Sequence, residues 1–155
     1  MKQDIEKLPA PKLPGARVLL VVSPYYRDVA DMMQRGAEAV AAEAEITLDR
    51  VFVPGAFEIP GAIKLARKHY DGFVALGCVV RGETSHYDYV CGESARGLMQ
   101  LSLKGMAIGY GILTVENIEQ AEVRADPARG DKGGEALKAA LSMIALQRRF
   151  AEKPQ

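Results

Sequence analysis

Cysteine is scarce in this chain, with only Cys78 and Cys91 among 155 residues. The two form neither a Cys-x-x-Cys pair nor a metal-ligand spacing, so they read as free thiols of a reducing compartment rather than as a disulfide framework. Histidine is equally rare, with His69 and His86 alone. Excess charge is missing as well: twenty basic and twenty acidic side chains cancel. That balance removes the electrostatic footprint of nonspecific nucleic-acid or membrane-surface binding, and leaves room for a local cluster holding a small anion. No apolar run approaches the ~18 residues that cross a bilayer. The opening MKQDIEKLPAPKLPGA lacks the apolar core of a signal peptide, so a cytoplasmic location is expected. A P-loop, a G-x-G-x-x-G fingerprint, a metal-ligand cluster and a G-x-S-x-G elbow are absent too. Nothing in the sequence requires a cofactor or a metal, and none is expected.

What is present is an ordinary globular composition. Hydrophobic residues at 48% and charged residues at 26% suit a soluble domain, and the length suits one domain with a proper core. Residues 1–16 carry Pro9, Pro11 and Pro14 between charges, which predicts an extended arm. A loose tail and a docking arm both fit that composition. Residues 17–155 are expected to form the single domain.

From Arg17 the pattern alternates. RVLLVV (17–22) is a short apolar run that predicts a strand buried on both faces. Val29, Met33, Ala37 and Val40 then recur at helical spacing. ITLDRVFVP (46–54) alternates as a strand, and FEIPGAIKLARKHY (57–70) places Ile59, Ile63 and Ala66 on one helical face. Pro60 is tolerable only in a first turn, which sets the helix start near Phe57. GFVALGCVV (72–80) predicts a third strand. Tyr87, Val90, Ser94, Leu98 and Leu101 follow at helical period behind Ser85-x-x-Asp88, which has the form of a capping box. MAIGYGILT (106–114) predicts a fourth strand, whose glycines suggest close backbone approach. Asn117 and Gln120 mark a further helix start, and a last helix turns Leu137, Ala140, Leu141 and Ile144 inward. Strands alternating with helices imply right-handed βαβ units, hence a three-layer α/β/α sandwich around a four-stranded parallel sheet.

Ligands of such sheets bind beyond the carboxyl ends of the strands, where the unusual residues of this chain collect. In SPYY (23–26), Tyr25 and Tyr26 offer either a stacking face for a flat heterocycle or a hydrophobic staple. In PGAFE (54–58), Glu58 either accepts hydrogen bonds from ligand hydroxyls or complements a helix N-terminus. RGETSH (81–86) combines a glycine turn, Thr84 and the first N–H groups of a helix into an anion site, with His86 placed for proton transfer or as an ordinary surface histidine. His69, at a helix end, reads as structural. RADPARGDKGG (124–134) has the look of a second anion-binding element, or of a solvated basic turn. The residues by themselves describe an α/β domain that binds a small phosphorylated or anionic ligand.

VPGAFEIP, RGETSHYDYV, GILTVENIEQA and GDKGGEA, in this order and at these distances, closely resemble the 6,7-dimethyl-8-ribityllumazine synthase family from about Arg17 to Phe150. The resemblance implies a flavodoxin-like fold and a cofactor-independent transferase of riboflavin biosynthesis. Such an enzyme condenses 5-amino-6-(D-ribitylamino)uracil with 3,4-dihydroxy-2-butanone 4-phosphate. It further implies that Tyr25 stacks on the pyrimidine and that Ala56, Phe57 and Glu58 hold the ribityl chain and ring. Cys78, Val79 and Val80 would meet the pyrimidine edge. Glu83 and Thr84 would form the phosphate turn, with Arg124 as the phosphate-binding arginine, His86 as the proton-transfer residue and Lys132 near the site. Tyr110 matches an aromatic that enters from a neighbouring subunit. A homopentamer with sites between subunits is implied, with the N-terminal arm adding to a neighbour's sheet and riboflavin synthase a candidate partner. Two departures stand out: Tyr26 replaces a common Asn, and Pro127 and Asp131 enter the turn after Arg124. A flavin carrier would keep the stacking aromatic without needing His86 or the phosphate cluster, and a cage protein would need neither. Both features are present, which favours the enzyme.

Overall fold

A computed structural model describes residues 9–152. Four parallel strands, β1 (Arg17–Val22), β2 (Thr47–Phe52), β3 (Gly72–Val80) and β4 (Ala107–Val115), form one sheet in the order β2-β1-β3-β4. Five helices connect and cover them: α1 (Arg27–Ala44), α2 (Ile59–Ala66), α3 (His86–Leu103), α4 (Ile118–Ala125) and α5 (Lys132–Ala151). The predicted α/β/α sandwich of flavodoxin-like type is therefore the observed architecture.

The layering follows from alternation along β1. Val18, Leu20 and Val22 join a cluster with Met33, Ala37, Leu137, Leu141 and Ile144 from α1 and α5. Leu19 and Val21 turn the other way, onto Ile59, Ile63, Leu98 and Leu101 of α2 and α3. Successive side chains of a strand point to opposite faces, so the apolar run from Val18 to Val22 must be covered twice. The connection from β1 travels one way along the sheet and the later ones travel back. Right-handed crossovers then put α1 on the face opposite α2 and α3.

Helix α2 is shorter than its sequence pattern. A 3-10 turn, Ala56–Glu58, precedes it, Pro60 occupies its second position, and it ends at Ala66 rather than near Tyr70. The strand glycines act as expected: a Cβ at Gly109 would lie 2.7 Å from the carbonyl carbon of Ala136, so α5 can sit this close only over a glycine. Of the predicted arm, residues 1–8 lie outside the described residues. Leu13 is buried, and its N–H donates to the carbonyl of Ala44 at 3.0 Å, closing residues 13–16 onto the end of α1.

Candidate active site

The chain passes from β1 outward to β2, then returns across β1 to β3 and β4. The loops leaving β1 and β3 consequently diverge at the carboxyl edge of the sheet, and a crevice opens between them. A cavity of about 580 Å3 occupies this place. Two strand-end loops, the end of β3 and one helix line it. The loop after β1 contributes Tyr25, the loop after β2 Ala56, Phe57 and Glu58, the strand end Cys78, Val79 and Val80, and α3 contributes His86.

The wall formed by β3 has a particular chemistry. Pairing of β1 with β3 ends at Val22 and Leu76, whereas β3 continues against β4 to Val80 and Val115. The Leu76 carbonyl accepts from Ser23 N–H at 2.9 Å. Peptide groups two and four residues further on share its direction, so those of Cys78 and Val80 run past the end of β1 along the cavity. An exposed strand edge presents donors and acceptors in one plane, which suits the edge of a flat heterocycle.

Tyr25 and Tyr26 play different parts. Tyr26 packs against the α1 cluster and stands at the N-cap of α1. Tyr25 is 75% exposed and meets Tyr26 edge-on, with ring centroids 5.0 Å apart. The packing half of the tyrosine pair is thus Tyr26, and the free face belongs to Tyr25. Phe57 is likewise exposed beside the cavity, while Ala56 is buried beneath it.

The floor resists negative charge. Burial pushes the Cys78 thiol up to about 11, and burial, followed by the neighbouring Cys78 and Tyr25, raises the Tyr26 hydroxyl. An anion is better placed at the rim, where α3 begins. The predicted Ser85–Asp88 capping box does not form there. Ser85 has φ −69° and ψ −3°, already in the helical range, and its side chain makes no cap hydrogen bond; an N-cap needs extended backbone to aim its oxygen forward. His86 N–H donates to Thr84 Oγ1 at 3.4 Å and Asp88 N–H to the Ser85 carbonyl at 3.0 Å. The N-terminus of an 18-residue helix, with the positive end of its dipole, lies beside His86. Glu83 and Thr84 lie in the exposed turn next to it, outside the cavity lining.

Tyr110, Arg124 and Lys132 are not brought to this cavity within one chain. Tyr110 is half-exposed on edge strand β4; burial, then Cys91 and Tyr87 of α3, raise its hydroxyl. Arg124 ends α4 and donates from Nη1 to the carbonyl of Gln120 at 3.0 Å. Lys132 opens α5 and pairs with Glu135 at 2.9 Å, as Arg129 pairs with Asp126. Among the described residues, Arg124 alone of these three cations has no carboxylate partner. One glycine of this segment has a packing use. A Cβ on Gly133 would lie 2.7 Å from the carbonyl carbon of Met33, so this glycine lets α5 approach α1.

Sequence reasoning passed over three residues near the site. Ser23 is buried in the cavity wall, and its hydroxyl lies 3.5 Å from the Pro54 carbonyl, joining the first two loops. Its signal was its place directly after β1. Val90 lines the cavity one helical turn beyond His86. Arg81 sits outside the cavity but grips its surroundings, as described below.

The fold and cleft define an α/β protein with an exposed strand edge, an apolar floor and a helix start gathered at one crevice. A sequence model of the 6,7-dimethyl-8-ribityllumazine synthase family matches residues 15–148. The 6,7-dimethyl-8-ribityllumazine synthase of Novosphingobium aromaticivorans is 54% identical over 138 residues, covering 88% of this chain and 99% of its own. That of Erythrobacter litoralis is 54% identical over 141 residues, covering 87% and 98%. 6,7-dimethyl-8-ribityllumazine synthase 1 of Rhizobium meliloti is 51% identical over 151 residues, covering 92% and 99%. The chain belongs to the 6,7-dimethyl-8-ribityllumazine synthase family. Among the described residues, no helix is long and apolar enough to cross a membrane.

Proposed function

We propose how this cleft performs the family reaction, in which 5-amino-6-(D-ribitylamino)uracil and 3,4-dihydroxy-2-butanone 4-phosphate form 6,7-dimethyl-8-ribityllumazine with release of phosphate and two waters. The observation that carries the reading is the convergence of two strand-end loops, the end of β3 and His86 on one cavity. The strand edge at Cys78–Val80 reads the pyrimidine, Tyr25 stacks on it, and Ala56, Phe57 and Glu58 hold the ribityl chain. The turn at Glu83 and Thr84, the start of α3 and Arg124 hold the phosphate. The ring amine attacks the ketone and water leaves to give an imine. Phosphate is then eliminated, the enol tautomerises, and the ribitylamino nitrogen closes the ring with loss of the second water. His86 moves protons beside the departing phosphate. Holding two reactants together supplies much of the acceleration.

Tyr110, Arg124 and Lys132 reach a site from a neighbouring copy in a homopentamer, which accounts for their distance from the chain's own cavity. Edge strand β2 is largely exposed along Arg50–Phe52, as a sheet that receives a neighbour's arm requires. We place the assembly in the cytoplasm, with riboflavin synthase as the enzyme that consumes its product.

The test is turnover with both substrates, following lumazine by absorbance and phosphate in parallel. Matched appearance of the two above the uncatalysed rate is expected. Tight lumazine binding without turnover would indicate a carrier instead. Sharing of sites is tested by dissociating and reassembling His86→Ala with Arg124→Ala protein in equal amounts. Random mixing restores about one quarter of sites when each joins two chains. No recovery would place both residues in one chain's site.

A further inference from the structure

Arg81 is the first residue beyond β3, and its side chain meets three residues on two separate elements. Its Nε donates to both carboxylate oxygens of Glu116, at 2.8 and 3.1 Å, in the loop after β4. Its Nη1 lies 3.7 Å from Asp88 in the first turn of α3. Its guanidinium stands 4.3 Å from the centroid of the Tyr87 ring. The backbone completes the attachment, since Arg81 N–H donates to the Val115 carbonyl at 2.9 Å. A forked, planar cation can make these contacts at once, whereas an ammonium cannot.

From Glu116 the bonds continue. Its N–H donates to Gln120 Oε1 at 2.8 Å, Gln120 N–H donates to Asn117 Oδ1 at 2.9 Å, and Arg124 donates to the Gln120 carbonyl at 3.0 Å. One connected path therefore runs from the turn preceding His86 to the guanidinium of Arg124. Arg81 and Glu116 are both substantially exposed, at 44% and 58% of their side-chain surface. Exposed pairs contribute little to global stability. Their consequence here is geometric, because loops 81–85 and 116–117 have few other ties to one another.

We infer that Arg81 is a positioning residue: gripping Glu116, Asp88 and the Tyr87 ring, it sets the turn that carries Thr84 and His86 and orients the helix that carries Arg124. The inference rests on the reading of that turn and Arg124 as phosphate-binding groups. It concerns a side chain outside the cavity lining. A displacement of about 1 Å in such groups is enough to cost a large factor in rate or binding.

The experiment is steady-state kinetics on the full chain for Arg81→Met, Arg81→Lys, Glu116→Gln and Arg124→Ala, varying each substrate in turn. For Arg81→Met we expect the KM of the phosphorylated substrate to rise about tenfold while that of the pyrimidine changes less than about twofold. Arg81→Lys should recover only part of the loss, since it keeps the charge without the fork. Glu116→Gln should reproduce the selective rise, and the thermal midpoints of all four should stay close to the parent's. An unchanged KM in Arg81→Met, an equal rise for both substrates, or full recovery by lysine overturns the inference. A rise in Arg124→Ala without one in Arg81→Met removes the clasp and leaves the phosphate site standing. A rise in Arg81→Met alone removes the assignment of Arg124 and keeps the clasp acting on the turn.

Discussion

Replacing Gly133 with alanine separates two readings of the GDKGG segment. Gly133 is the second residue of α5 and is buried against α1. Helix propensity alone favours the change by up to about 1 kcal/mol. Space opposes it: the new Cβ would stand 2.7 and 2.8 Å from the carbonyl carbon and Cα of Met33. Carbon atoms prefer about 3.5–4.0 Å, so the start of α5 must retreat by about 1 Å. The contact loosened is the seam in which Met33 and Ala37 meet Leu137 and Ala140, all buried. A gap of that size forfeits roughly a quarter to a half of each dispersion contact across it. Overpacking of this kind costs about 1–3 kcal/mol, and after the propensity gain we expect a net loss of about 1 kcal/mol. For a chain of this size that lowers Tm by about 2–4 °C. Urea denaturation and thermal melting at one fixed protein concentration measure it, with KM for the phosphorylated substrate taken on the folded variant. An unchanged or raised Tm with an increased KM would refute the packing argument and return Gly133 to the ligand.

His86→Ala should lower kcat by about a hundredfold without abolishing turnover, and flatten its pH profile, because proximity survives the loss of the proton carrier. Arg124→Ala should raise KM for the phosphorylated substrate about tenfold and affect kcat less, the loss of one charge-assisted hydrogen bond. Glu45 closes α1 with φ 62°, a left-handed conformation, so Glu45→Gly should stabilise by about 1 kcal/mol, read as a higher urea midpoint at unchanged slope. Asp126 is held below its ordinary value of 3.8, first by the Ala128 N–H and then by Arg129. Its stabilising contribution is therefore present above that value and lost as pH falls through the depressed one. Asp126→Asn should weaken the fall of Tm below about pH 4, and an identical acid profile would contradict the linkage.

The central strands were legible because burial on both faces leaves uninterrupted apolar runs. β1 at 17–22 and β3 at 72–80 have the predicted bounds. The inward faces of α1 and α5 were legible from period, and Asn117 was legible as a cap because its chemistry is local. Failures occurred where a local pattern was outweighed by backbone geometry. Arg67, Lys68 and His69 extend the polar side of a helical pattern, yet α2 stops at Ala66 because the chain must turn to enter β3. Ser85-x-x-Asp88 satisfies a motif, but Ser85 adopts helical backbone and its hydroxyl is misdirected. Glycines at 133 and 134 look alike in the sequence, yet a Cβ at 133 would meet Met33 and one at 134 the Asp131 carboxylate. Arg81 was invisible because its value lies in three partners spread over 81–116.

The division of site residues follows from the same sheet geometry. A crevice at the carboxyl edge can draw on the loops after β1 and β2 and on the end of β3, since these meet there. It cannot draw on Tyr110, which sits midway along an edge strand, at the register of Ala75, with its ring on the α3 side. Such a residue is well placed to serve a second chain packed against that edge and poorly placed to serve its own cleft. Recognition of the heterocycle, which needs an aligned strand edge and an apolar floor, can therefore be completed within one fold. Neutralising a departing phosphate needs a cation brought over an open rim. In the assembly we propose, supplying that cation from a neighbouring copy would make charge balance, exclusion of water and assembly the same event, so catalysis should follow the assembled fraction rather than total folded chain as protein is diluted.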